Sequence, residues 1–217
     1  MPNKKELTNK ELLEKYPFLV LRNSYTGEII KQSDPDNPHI EFKYDIPPGW
    51  WKCFGIALLD DIKEIMDKHN MKYEDFMFHQ VKEKYGSICI YHNGMPEEWS
   101  SHEHAWEYIS EHTCVECGIF PVPMRYFSWI SPFCDNCIKS HRAWSKELED
   151  KITEKGWSGR VQEYIVVSHF SKEGDYQEWI DMKPFYDKIG WKYTDKDLIS
   201  KEEIEELIKK RKKEEGF

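Results

Sequence analysis

Long apolar runs are missing from this chain. No stretch of eighteen consecutive apolar residues occurs among its 217 residues, so it offers no candidate for a membrane-spanning helix. The opening residues Met1-Pro2-Asn3-Lys4-Lys5-Glu6 lack the apolar segment of a secretion signal, and the expected location is the cytoplasm. Positive charge is scarce as well: 31 Lys and Arg face 40 Asp and Glu for a formal net charge of −9, spread as −4 over residues 1–98, −2 over 99–147 and −3 over 148–217. Nucleic-acid affinity rests on neutralising phosphates, so this balance disfavours non-specific DNA or RNA binding. Common enzyme templates are also absent. There is no Gly-x-x-x-x-Gly-Lys-Ser/Thr phosphate loop, no Gly-x-Gly-x-x-Gly and no Gly-x-Ser-x-Gly. His102-Glu103-His104 fails as a His-Glu-x-x-His zinc motif, because helix neighbours one and two apart point in different directions.

Aromatic residues are present in quantity: nine Trp, twelve Tyr and eleven Phe make up 15% of the chain, within a hydrophobic fraction of 39%. That suffices for a globular core. Four of the six cysteines form two Cys-x-x-Cys pairs, Cys114-Val115-Glu116-Cys117 and Cys134-Asp135-Asn136-Cys137, separated by sixteen residues. Each such turn aims two thiolates at one ion, and two turns complete the tetrahedral coordination that zinc accepts. Gly118 suits the sharp bend after the first pair. The expectation is one structural Zn²⁺ held by Cys114, Cys117, Cys134 and Cys137, with no coordination position open to water or substrate. Two disulfides or a redox pair are the competing readings, and a reducing cytoplasm speaks against them. Cys53 and Cys89 then read as buried small hydrophobes. A zinc deaminase would need a proline where Phe133 stands.

Along the chain, Thr8-Asn9-Lys10-Glu11 reads as a capping box before a short helix that Pro17 stops, and residues 22–45 predict turns with little regular structure. Pro47-Pro48-Gly49 predicts a stiff turn leading to an amphipathic helix over roughly 54–69. Strands follow at 76–82 and 87–92, joined by a loop over 83–86; pairing Lys82 with Ser87 puts His79 and His92 on one face. Pro96 opens a helix over 97–112 with Trp99, Trp106 and Ile109 inward, on which Glu98 and His102 share a face. Short strands between the cysteine pairs suit a zinc ribbon, and a helix follows from Cys137 to Gly156. A strand over 161–170, a partner at 176–180 and a helix opened by the capping box Ser200-Lys201-Glu202-Glu203 complete the chain. The Lys209-Lys210-Arg211-Lys212-Lys213 run reads as a solvated helix end whose cations complement the helix dipole. The fold class is α+β: helices and a β-hairpin with a central four-cysteine zinc ribbon, then a strand pair and a final helix. Its regions are an amino-terminal α+β part at 1–98, the helix-flanked ribbon at 99–147 and a carboxy-terminal α+β part at 148–217.

Five pieces in series, Tyr16-Pro17-Phe18-Leu19 with Arg22-Asn23, Pro47-Pro48-Gly49-Trp50, Val81-Lys82-Glu83-Lys84-Tyr85-Gly86, Thr113-Cys114-Val115-Glu116-Cys117-Gly118 and Trp129-Ile130-Ser131-Pro132-Phe133-Cys134-Asp135-Asn136-Cys137, resemble a family of uncharacterised proteins encoded by bacteriophages and prophages. The resemblance spans residues 16–137 and implies a phage-derived, metal-bound protein of the bacterial cytoplasm, with no established activity to carry over.

For function, the residues favour a non-enzymatic zinc-stabilised binding protein acting on a host or phage protein, for example as an inhibitor of a host defence system. Trp50, Trp51, Trp129 and Trp144, with His79 and His92, form the candidate binding surface, since tryptophan is a usual interface anchor. The alternatives are nucleic-acid binding by the ribbon through Arg125, Lys139, Arg142 and its aromatics, and a metal-dependent enzyme using His79 and His92 or the Glu83–Tyr85 loop.

Overall fold

The computed structural model describes residues 6–23, 25–127, 129–141, 145, 149–169 and 174–215. Helix α1 (Asn9–Lys15) opens on the expected capping box: Thr8 Oγ1 accepts from the Glu11 amide at 3.2 Å and Glu11 Oε2 from the Thr8 amide at 2.7 Å. Pro17 turns the chain into a short 3-10 segment that buries Phe18 and Leu19. The stretch expected to be irregular also carries a short helix, α2 (Glu41–Asp45), because Phe42 has a buried place to fill. Helical backbone then begins earlier than the periodicity predicts. Helix α3 (Pro48–Trp50) passes through a π-turn at Trp51–Gly55 into α4 (Ile56–Lys68). Proline pre-sets a first helical turn, and the widened turn lays the Trp51 ring on Gly55, where a Cβ would stand 2.5 Å from Cε3.

Strands β1 (Met77–Lys84) and β2 (Ser87–Asn93) pair antiparallel with Lys84 opposite Ser87, so the turn is only Tyr85-Gly86. Both turn residues have positive φ, 53° and 84°, as a type I′ turn requires. Phe78 faces His92 and Gln80 faces Tyr91, which leaves His79 as the extra residue of a bulge. Helix α5 (Trp99–Glu111) buries Trp99, Trp106 and Ile109 as its spacing predicts. Strands β3 (Met124–Tyr126) and β4 (Ile130–Pro132) form the hairpin between the cysteine pairs. The helix expected from Cys137 to Gly156 is two: α6 (Asp135–Ser140) ends where His141 is extended, and α7 (Glu149–Ile152) leads to a β-bridge between Arg125 and Thr153. Leu148 and Phe170 lie outside the described residues. The strand expected over 161–170 divides at Glu163. Strand β5 (Val161–Gln162) pairs parallel with β8 (Leu198–Ile199), and β6 (Tyr164–His169) pairs antiparallel with β7 (Tyr176–Asp181). Helix α8 (Lys183–Lys188) follows β7, and α9 (Lys201–Glu215) ends the description.

The molecule is therefore α+β, and its buried side chains form one cluster reaching from Leu12 to Leu198. Phe54 on the first third, Trp106 on the middle and Phe185 on the last follow one another at ring distances of 5.9 and 5.6 Å. Where α4, α5 and α8 meet, Asp61 accepts hydrogen bonds from Trp106 Nε1 at 2.7 Å and His102 at 2.8 Å, and pairs with Lys188 at 3.1 Å.

Candidate metal centre

The four cysteines converge. Their sulfurs all lie within 4.8 Å of one another, and Cys117 Sγ and Cys134 Sγ are 3.7 Å apart. Four sulfurs about 2.3 Å from one ion stand about 3.8 Å apart along the edges of a regular tetrahedron, whereas a disulfide needs about 2.05 Å. All six cysteines are unbridged. This donor set therefore fits a single soft cation and holds no disulfide.

Local backbone sets the geometry. The first knuckle closes through Cys114 N to Ile119 O at 2.9 Å and Gly118 N to Cys114 O at 3.0 Å, with Gly118 at φ 78°. The second places Cys134 at the N-cap of α6, where its sulfur accepts the Cys137 amide at 3.4 Å. Burial opposes ionisation of Cys134, but the amides of Cys137 and Asn136 and the neighbouring thiols outweigh it and hold the thiol below its usual range. Burial pushes Cys117 and Cys137 the other way, and crowding by neighbouring thiols adds to it. Four thiolates this close need a cation among them.

The knuckle is seated against α3. Gly49 N donates to Val115 O at 2.8 Å and Trp50 Nε1 to Thr113 O at 2.9 Å. A Cβ on Gly49 would stand 2.1 Å from the Cys114 carbonyl oxygen, so only glycine allows this approach. Cys53, half-buried where full burial was expected, sits beside the site; its thiol is pushed up to about 11, chiefly by burial. It is a protonated neighbour and stands outside the four-sulfur group. Cys89, on β2, is half-buried too. A groove of about 890 Å³ runs past Cys134, between the loop over 119–123 and the segment over 153–157. Its buried cation, Arg125, is taken up by Asp135, Thr153 and the Phe133 carbonyl.

The other candidates part company. The shared face expected for His79 and His92 does not form, because the bulge shifts register between them: His79 is exposed, and half-buried His92 packs on Phe76 and Trp99 with Nε2 3.7 Å from Glu103. Among the described residues, no other group of His, Cys, Asp and Glu converges like the four cysteines. Glu98 and His102 do not pair either: Glu98 binds Lys68 and His69, and His102 binds Asp61. Trp50 is fully buried, which removes it from any binding surface, and Trp51 is half-buried against Phe42. Trp129 is exposed and stacks on Tyr85 at 5.4 Å. Trp144 lies outside the described residues, as does Arg142. Arg125 is buried and engaged, so of the three cations expected to serve nucleic acid only Lys139 is seen exposed. Tyr85, of the loop proposed for an enzyme, and Tyr126, among the ribbon aromatics, are both exposed. No helix among the described residues is long and apolar enough to cross a membrane. Compared with models of protein families, with curated proteins and with solved structures, the chain matches none.

Proposed function

We propose that the four cysteines hold one structural zinc ion and that the chain works by binding a protein partner, as a phage-derived protein acting on a host or phage protein in the bacterial cytoplasm. The observation that carries this reading is the closed sulfur quartet. All four donors come from the protein, two of them buried, so the ion is scaffolding and activity belongs to surface elsewhere. The pieces on which the resemblance rests also touch one another. The Pro48-Gly49-Trp50 piece seats the Thr113–Gly118 knuckle, and the Tyr85-Gly86 turn lies against Trp129, Met124 and Pro132. The motifs thus describe one folded unit.

Elemental analysis of the purified protein tests the first half, with one zinc per chain expected. Affinity capture from a bacterial lysate followed by mass spectrometry tests the second, with a stoichiometric protein partner expected. A folded protein without metal, or a capture that returns no partner, overturns the respective half.

A further inference from the structure

Two hairpin tips meet at the surface, where two exposed aromatic side chains stack and a third is exposed nearby in sequence. Tyr85 at the β1–β2 turn is 59% exposed, Trp129 in the β3–β4 turn 45% and Tyr126, just before that turn, 48%. Tyr85 and Trp129 stack with ring centroids 5.4 Å apart at 24°. Glu83 presents both carboxylate oxygens to Trp129 Nε1 at 3.1 Å, one of which also accepts the Gly86 amide at 2.6 Å. Tyr85 takes this position at φ 53°, a left-handed conformation that asparagine or glycine adopts with less strain. A residue held in a disfavoured backbone region for the sake of an exposed ring points to a use for the ring.

The charges around the rings indicate what they meet. Glu83 supplies the carboxylate at the stack itself. Glu154 and Glu111 lie near Tyr126, whose hydroxyl burial and then those two charges raise above its ordinary range, while Glu111 is itself pushed up to about 6, chiefly by burial. Lys84 lies 5.8 Å above the Tyr85 ring, so that face already receives a cation of the protein's own. Aromatic faces rimmed by carboxylates suit arginine best, whose planar guanidinium stacks on a ring while its N–H groups pair with carboxylate oxygens. Phosphates would meet Glu83 at close range in a chain of net charge −9.

We infer that the Tyr85–Trp129 face, with Glu83 at its edge, is a docking surface for an arginine- or lysine-bearing segment of a partner protein. This rests on the binding-protein reading above and adds the place and the chemistry of the partner.

The test uses the full chain with three fluorescein-labelled probes: a peptide of alternating Arg and Ser, its Glu-Ser counterpart and a single-stranded oligothymidylate, read by anisotropy. The Arg-Ser peptide is expected to bind and the other two are not. Trp129→Ala is the decisive variant because it changes no charge, so a merely non-specific attraction would survive it; a loss of about tenfold is expected. Tyr85→Asn, which suits the left-handed turn and so keeps the fold, is expected to weaken binding likewise, and Glu83→Gln to weaken it and flatten its salt dependence. Tyr25→Ala, at a still more exposed ring elsewhere, leaves binding unchanged. Equal affinity of wild type and Tyr85→Asn, no binding of the Arg-Ser peptide, or oligothymidylate binding that Trp129→Ala abolishes overturns the inference. Lysate capture separates the two readings: a partner held equally by wild type and Tyr85→Asn sinks this surface alone, whereas no partner for wild type sinks the binding-protein reading itself.

Discussion

Asp61 shows how much a single side chain decides here. It is 1% exposed and gathers Trp106, His102 and Lys188 from two other helices. Burial alone would raise its carboxyl; the hydrogen bonds and charges of His102, Trp106 and Lys188 outweigh that and hold it below the usual carboxylate range. A lowered folded-state pKa contributes stability that is complete above the unfolded value, about 3.9, and is lost as pH falls through the folded value. Asp61→Asn is therefore expected to cost about 1.5–3 kcal/mol at neutral pH, since it takes the charged acceptor from His102 and Trp106 and leaves Lys188 with Glu64 alone, and to remove part of the acid limb of the stability curve. Urea denaturation of both proteins from pH 3 to 7 checks this. Gly49 is the second such position. Gly49→Ala drives a Cβ into the Cys114–Gly118 backbone, so a loss of at least about 1–3 kcal/mol with faster metal release is expected, read by melting temperature and a chromogenic metal indicator. Neither role is legible in the chain alone: Asp61 looks like any polar-face carboxylate, and glycine after two prolines looks like a turn.

At the scale of elements, signals that act within a few residues were readable and those that act across the chain were not. Both capping boxes stand where Thr8 and Ser200 predict them, because a hydroxyl reaching the amide three residues on is a local event. In α9 only Ile204 is deeply buried among the described residues, so the cap carries much of the element. Ser200→Ala is expected to cost about 1 kcal/mol and to speed amide exchange in the first turns of α9 without moving the exchange of α5. The hairpin was placed, but its register slid by two residues and its bulge was missed; Tyr85 gives little warning of a two-residue turn, since asparagine or glycine is the usual occupant. The parallel pairing of β5 with β8 left no trace, because two-residue strands so far apart in sequence have no periodicity to read.

At the scale of the molecule, the metal site and the core are one object. Cys114 and Cys134 belong to the same buried cluster as Trp50, Phe54, Trp106 and Phe185. A structural ion at such a site is worth roughly 10–16 kcal/mol, so its removal is expected to be felt throughout. Chelation should expose the buried tryptophans in a single transition, with tryptophan emission and far-ultraviolet circular dichroism changing together; emission that stays native once metal is gone would contradict a shared core. The cysteine quartet was legible in the sequence, because each Cys-x-x-Cys turn brings two sulfurs together by local chain geometry, and the fold then brings the two pairs within 4.8 Å. The helices with strong periodicity and the α+β class were decided in the same local way. Which tryptophans are buried, that two histidines on paired strands never meet, and that Tyr85 and Trp129 share a surface were decided only by the tertiary structure. Those outcomes depend on which faces of distant segments find each other, and exposure is a property of the packed molecule that no single stretch of chain contains.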